Sequence, residues 1–210
     1  MADWTTISSL ATAGGTLVLA AATFSSVRSS QRSARVAERA LLANQRPVLV
    51  PSRMEDPTEK VGFADDRWVK VRGGMGEVQA DSQTIYLVMA LRNVGSGLAV
   101  LHGWHAVGQR QFSDVPHHPP EEFRMHTRDI YVPPGATGFW QGAVRDADDP
   151  LQQELRLALQ RGEGITVELL YGDHEGGQRT ISRFTLQPRE GSEHIAAVAR
   201  HWSLDRPDPR

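Results

Sequence analysis

From Trp4 to Val27 the chain reads WTTISSLATAGGTLVLAAATFSSV, a run without a charged residue. Its apolar centre is Leu10–Phe24, and threonines and serines soften both ends. A helix of this length extends roughly 36 Å at about 1.5 Å per residue, enough to cross a hydrocarbon core of about 30 Å with some tilt. The pattern therefore predicts a transmembrane helix, with residues 1–27 as the anchor. Helical texture continues with no Gly or Pro before Pro47, so residues 28–46 are expected to form a basic juxtamembrane helix or stalk.

Beyond Pro47 the period changes. Apolar residues come in short runs separated by Gly, Pro, Asn and Asp, the texture of strands and turns. Strands are expected over Pro47–Arg53, Arg67–Arg72, Thr84–Val94, Leu98–Val107, Ile130–Val132 and Thr137–Val144, with a hairpin of Ile165–Tyr171 and Thr180–Leu186. The polar stretch Met54–Asp66 reads as a loop, and Gly73-Gly74-Met75-Gly76 as a turn. In Thr84–Val94, Ile85, Leu87, Met89 and Leu91 share one face while Tyr86, Val88 and Ala90 make the other apolar too, as in a central strand covered on both sides. Asp148-Asp149-Pro150 supplies an N-cap and a proline for the first turn of a helix over Leu151–Arg161 that stops at Gly162. His194–Leu204 fits a last strand better than a helix. The whole predicts a mainly-β antiparallel, Ig-like sandwich over residues 47–204 with one inserted helix, then a flexible tail at 205–210.

Charge adds orientation. A cleaved signal peptide carries its positive charge before the apolar run, whereas here Asp3 precedes it and Arg28, Arg32, Arg35 and Arg39 follow. The same asymmetry places the N-terminus outside and the β domain in the cytoplasm, as a single-pass protein of the cell membrane. Spacings of 4, 3 and 4 put the four arginines on one helical stripe, suited to membrane lipids with anionic headgroups. Small residues recur at four-residue spacing, Ala11 with Gly15 and Thr12 with Thr16 and Ala20, which permits a homodimer through span and stalk. A net charge of −2 gives no electrostatic footprint for nucleic acid, and the absence of cysteine excludes disulfides, thiolate metal sites and a cysteine nucleophile.

Candidate chemistry is sparse. His102 and His105 flank Gly103-Trp104, His117 and His118 lie in a proline-rich loop, and His174 sits in the final hairpin turn. On a strand, residues three apart point to opposite faces, so His102 and His105 do not form a chelating pair. A single ligand from this pair can still be joined by His117, His118 or His174, so His102, His117, His118 and His174 are the candidate metal ligands. Asp146, Asp148 and Asp149 are explained by helix capping, without the calcium-loop spacing. The chain lacks a G-x-S-x-G elbow, an HExxH pair and a phosphate loop, since Gly73–Gly76 has no Lys-Ser/Thr ending; no cofactor is implied and catalysis is not expected.

Leu91, Asn93, Gly95, Gly97 and Ala99 make an L-x-N-x-G-x-G-x-A turn, and Tyr171, Asp173, Gly176 or Gly177, Arg179 and Thr180 a terminal hairpin motif. In these motifs and in its layout the chain resembles a broad set of uncharacterised bacterial proteins with an N-terminal span, a short helical stalk ending in Gln-Arg-Pro and a β-sandwich. The resemblance implies an anchored sandwich and brings no established activity. The 151–161 helix and the Met54–Asp66 loop depart from that pattern.

The expected function is accordingly a membrane-anchored interaction or scaffold module for an unidentified protein partner. Large aromatics on predicted strands mark its contact surface, Trp140 and Trp104 being the candidates. Two alternatives come from other classes: a metal- or small-ligand-binding sensor using the histidine-rich loops, and a hydrolase whose site is assembled without a motif.

Overall fold

The computed structural model describes residues 3–206; side chains of residues 4–12, 39 and 42–44 fall outside the described set. Two compact units result, Met1–Asn44 and Gln45–Arg210.

The first unit is one continuous helix, α1 (Trp4–Asn44), so the expected anchor and stalk are a single element. Leu17, Val18, Leu19 and Phe24 are exposed on it, and so are Arg28, Arg32 and Arg35; Arg39 lies outside the described side chains. Among the described residues no helix is long and apolar enough to cross a membrane. The expected helix is therefore present, but the expected transmembrane character is not found in its described part. Gly14, Gly15, Thr16, Thr23, Ser25 and Ser26 dilute that part, and the rest of the predicted span, with Ile7 and Leu10, lies outside it. The expected tail falls largely outside the described residues as well.

The second unit contains β1 (Leu49–Pro51), β2 (Glu59–Gly62), β3 (Trp68–Val71), β4 (Met75–Ala80), β5 (Ile85–Asn93), β6 (Ala99–Val107), β7 (Arg124–Val132), β8 (Thr137–Val144), α2 (Pro150–Arg161), β9 (Ile165–Gly172), β10 (Thr180–Pro188) and β11 (Glu193–Ser203). The pairing is antiparallel throughout. β8 runs along one edge of β5, while β4 and β1 share the other, β4 against Ile85–Met89 and β1 against Leu91–Asn93. From β4 the sheet continues through β11, β10, β9 and β6 to β7. Its two outermost strands, β7 and β8, are thus neighbours in sequence. The sheet curls around one core until they face each other.

That core takes Ile85, Leu87, Met89 and Leu91 from β5, with Trp140, Leu169, Phe184 and Leu155 of α2 among their partners. The opposite face of β5, Tyr86, Val88 and Ala90, is covered by Val61, Phe63, Val69 and Val71 of the separate β2–β3 hairpin. The two-sided central strand foreseen in the pattern is what forms. Asp149 caps α2 through a bond accepted from Leu151 N at 3.0 Å, and Gly162 ends it in the left-handed region at φ 65°. Residues 193–203 are a strand, as favoured.

Three strands escape the pattern: β2 and β7 bury little, and β4, though largely buried, mixes glycine and polar residues without apolar alternation. β2 lies inside the expected loop and buries only Val61. β4 begins within the expected glycine turn. β7 reaches back to Arg124, although only Ile130 and Val132 carry the apolar signal.

The shared turn motif is structural. Asn93 Oδ1 accepts from Val48 N at 3.1 Å and Gly95 N at 3.0 Å, while Nδ2 donates to the carbonyls of Gly97 at 2.7 Å and Val132 at 2.9 Å. A Cβ on Gly95 or Gly97 would collide with the backbone of Arg46 or Gln45, so the glycines let the turn lie against the start of the domain. The hairpin motif works likewise: Asp173 accepts from Gly177 N, and the Tyr171 hydroxyl accepts from Leu49 N. Asn93→Ala strands four polar groups and is expected to lower stability by about 3 kcal/mol, measured by urea unfolding.

Candidate functional site

β7 pairs only with β6 and β8 only with β5, so among the described residues the two strands present unpaired edges to each other. The β6–β7 register explains the gap. Leu101 faces Ile130 and Gly103 faces Met125, so His102 alone stands opposite residues 126–129, which bulge from the ladder. A cleft of about 650 Å³ opens there, walled by the bulge (124–128), by 141–143 and Arg145 after β8, and by 62–64 with Trp68 of the β2–β3 hairpin. Trp104 forms its floor.

The lining carries Arg124, Arg128, Arg145 and His126 and no carboxylate. Arg124 forks onto Asp149 at 2.6 and 2.9 Å, tying β7 to the α2 N-cap. Hydrogen bonding from Arg124 holds the Asp149 carboxyl below its usual range. Arg145 reaches Asp65 at 3.3 Å, and Asp65 also accepts the Tyr86 hydroxyl at 2.6 Å. Arg128 has no acidic partner among the described residues: it donates across the seam to Gln141 Oε1 at 2.8 Å and lies over the Phe139 ring. His126 Nε2 is buried with no hydrogen-bond partner among the described residues. Burial, reinforced by Arg128 and His102, pushes its pKa down to about 4. At the rim Trp68 is 61% exposed, with Lys60 over its ring, and Met125 is 66% exposed.

A second cluster gathers histidines. His105, His118 and Glu168 bring ligand atoms within 4.8 Å of one another, the only such group of three among the described residues. Glu168 and Arg183 face each other across β9 and β10 and are both fully buried. Arg183 donates from Nε and Nη2 to Glu168 Oε1 at 2.9 and 2.5 Å. It also donates to the carbonyls of Phe112, Val115 and Pro116 at 2.7, 2.9 and 2.7 Å. Glu168 Oε2 accepts from His118 N at 3.0 Å and lies 3.0 Å from its Nδ1; His105 stacks on His118 at 3.8 Å. Burial pushes the His105 pKa down. The carboxylate is fully engaged, and the guanidinium bound to it opposes a cation. The cluster straps the segment after β6 onto the sheet.

The expected metal set is therefore not assembled. His118 meets His105 instead of His102, and β9 brings Glu168 beside both. His117 bonds the His118 carbonyl and meets Trp202 edge-on, His102 packs by Gly172, and His174 is exposed near Glu175. The two candidate contact tryptophans need correction as well: Trp140 is 0% and Trp104 4% exposed, packed edge to face at 5.5 Å. Gly142 lets both rings approach, and both belong to the core; Trp68 is the exposed ring. Ser182 Oγ lies 2.5 Å from His201 Nδ1, yet Ser182 is fully buried, so this pair offers no surface for a substrate. The arginine-lined bulge was missed because R-M-H-T-R-D has no strand alternation; its basic residues in a polar stretch were the one available signal.

Fold and cleft together define a mainly antiparallel β domain with an open, arginine-lined seam, preceded by a long helix. Comparison with protein-family models, with curated proteins and with solved structures finds no match to this chain.

Arg183→Met leaves Glu168 buried and unpaired and is expected to cost about 3–5 kcal/mol, with faster amide exchange over residues 108–118 as the local sign. A pH effect follows from His126. Its ordinary pKa of 6.5 falls to about 4 on folding, so the unfolded chain takes up the proton first as pH drops. Its contribution to stability is full above about pH 6.5 and is lost as pH falls toward 4. Thermal unfolding across that range is expected to show a smaller slope for His126→Leu.

Proposed function

We propose that the protein is an interaction module held at the cytoplasmic face of the cell membrane by α1, and that the cleft between β7 and β8 of its sandwich receives a protein partner. The observation that carries this reading is the pair of unpaired strand edges beside a concave surface with an exposed tryptophan, an exposed methionine and arginines. Soluble proteins blunt or cover such edges unless something pairs with them.

The membrane part of the reading is supported by α1. Leu17, Val18 and Leu19 are consecutive and so point to different sides of the helix, and all are exposed, as is Phe24. A helix apolar on several sides and exposed calls for lipid or a second helix. The exposed arginines that follow, Arg28, Arg32 and Arg35, suit anionic headgroups on the cytoplasmic leaflet, each worth about 1 kcal/mol. Small residues in the same helix leave room for a second copy, giving a homodimer through α1.

Flotation of the full chain with vesicles tests the membrane part. It is expected to float with mixed phosphatidylcholine–phosphatidylserine vesicles, and replacing Arg28, Arg32 and Arg35 by Gln is expected to weaken binding by roughly fivefold per residue. Crosslinking in native membranes tests the module. A partner retained by the full chain and lost on deleting residues 1–27 supports the reading; a chain that neither floats nor retains a partner overturns it.

A further inference from the structure

The β7–β8 cleft has a charge and a backbone geometry that narrow what fits it. This step rests on the interaction-module reading and names the partner's chemistry. Along β8, every second residue turns its N–H and C=O away from β5, and none of the other described strands takes them up. An extended chain laid along this edge would continue the sheet. The bulge at 126–129 is what keeps β7 from closing on β8 and leaves that space. Arg128, held only by neutral Gln141 and the Phe139 ring, bridges the gap and is the group an incoming segment would displace.

Charge selects the segment. The lining holds three arginines and no carboxylate. Asp149 and Asp65 partly offset Arg124 and Arg145 at the rim, which leaves Arg128 as the lining arginine without an ion pair among the described residues. His126 lines the same cleft, and its neutral ring carries one N–H donor. Exposed Met125 and Trp68 offer apolar contact beside the charges. We infer that the seam binds an acidic peptide segment in extended conformation, which adds as a strand to the free edge of β8 with its carboxylates toward Arg128. The free edge supplies main-chain hydrogen bonds, and alternating acidic and apolar side chains match arginine on one side and Met125 on the other. A single-stranded nucleic acid would use the arginines and Trp68 but would leave the strand edge unpaired.

The test uses the full chain in a non-ionic detergent and fluorescence anisotropy. The probes are an octapeptide alternating glutamate and valine, its lysine counterpart, a version N-methylated at alternate backbone positions, and an oligothymidylate. Binding of the acidic peptide alone, weakened at least about tenfold by Arg128→Glu and by N-methylation, is expected; tenfold corresponds to about 1.4 kcal/mol. Gln141→Ala, which frees Arg128 without removing charge, is expected to keep or strengthen binding. Equal binding of the lysine or N-methylated peptide, or binding of the oligothymidylate alone, overturns the inference.

A photo-crosslinking residue at position 125 in native membranes separates this step from the reading beneath it. A partner crosslinked through a basic or helical segment sinks the acidic-strand inference while the module reading stands. Absence of any crosslink together with absence of peptide binding sinks both.

Discussion

A buried guanidinium shared between one carboxylate and three backbone carbonyls holds the closed side of the β domain together. Arg183 sits on β10 opposite Glu168 on β9, and the register extends the row to His105 on β6 and Arg200 on β11. Taking both charges out of water is costly, and the Coulomb attraction alone does not repay it. What offsets the cost is full engagement: the guanidinium also meets the carbonyls of Phe112, Val115 and Pro116, and the second carboxylate oxygen meets His118. Arg200 adds a bond to the Ser113 carbonyl. A long connection with little apolar content of its own is thereby fixed on the sheet, and backbone carbonyls that would otherwise lack partners are satisfied.

The other side of the domain is arranged the opposite way. There the sheet has two ends, β7 and β8, joined by a short proline-containing turn that Asn93 fastens, and they diverge from that turn instead of pairing. Bulge, arginines and the Arg128–Gln141 bridge are also the devices by which proteins keep free edges from joining at random. The strap covers the middle strands β9 and β10, while the unpaired edges of β7 and β8 meet at the seam.

Much of the fold was legible because its determinants are local. The double apolar face of β5, the Asp149-Pro150 start and Gly162 stop of α2, and the β9–β10 hairpin each follow from residues close in sequence. The strands that were missed, β2, β4 and most of β7, carry little apolar alternation of their own, although β4 is largely buried; they form because neighbouring strands and the core provide partners. The site was less legible for the same reason. Phe139-Trp140 announces a strand but not which ring the sheet will cover, and Trp104 is buried only because Trp140 reaches it from β8.

What the sequence determined by itself is the division into a long N-terminal helix and a mainly-β domain, the arginine stripe on that helix, and the caps and turns, all set by short-range periodicity and backbone preference. Tertiary structure alone decided which histidine meets Glu168, that Arg183 pairs with that carboxylate, and that Arg124, Arg128 and Arg145 line one cleft. Glu168, Arg183 and His105 lie on three different strands, and Arg145 follows β8 while Arg124 and Arg128 lie on β7; sheet register, a long-range property set by the whole core, brings them together.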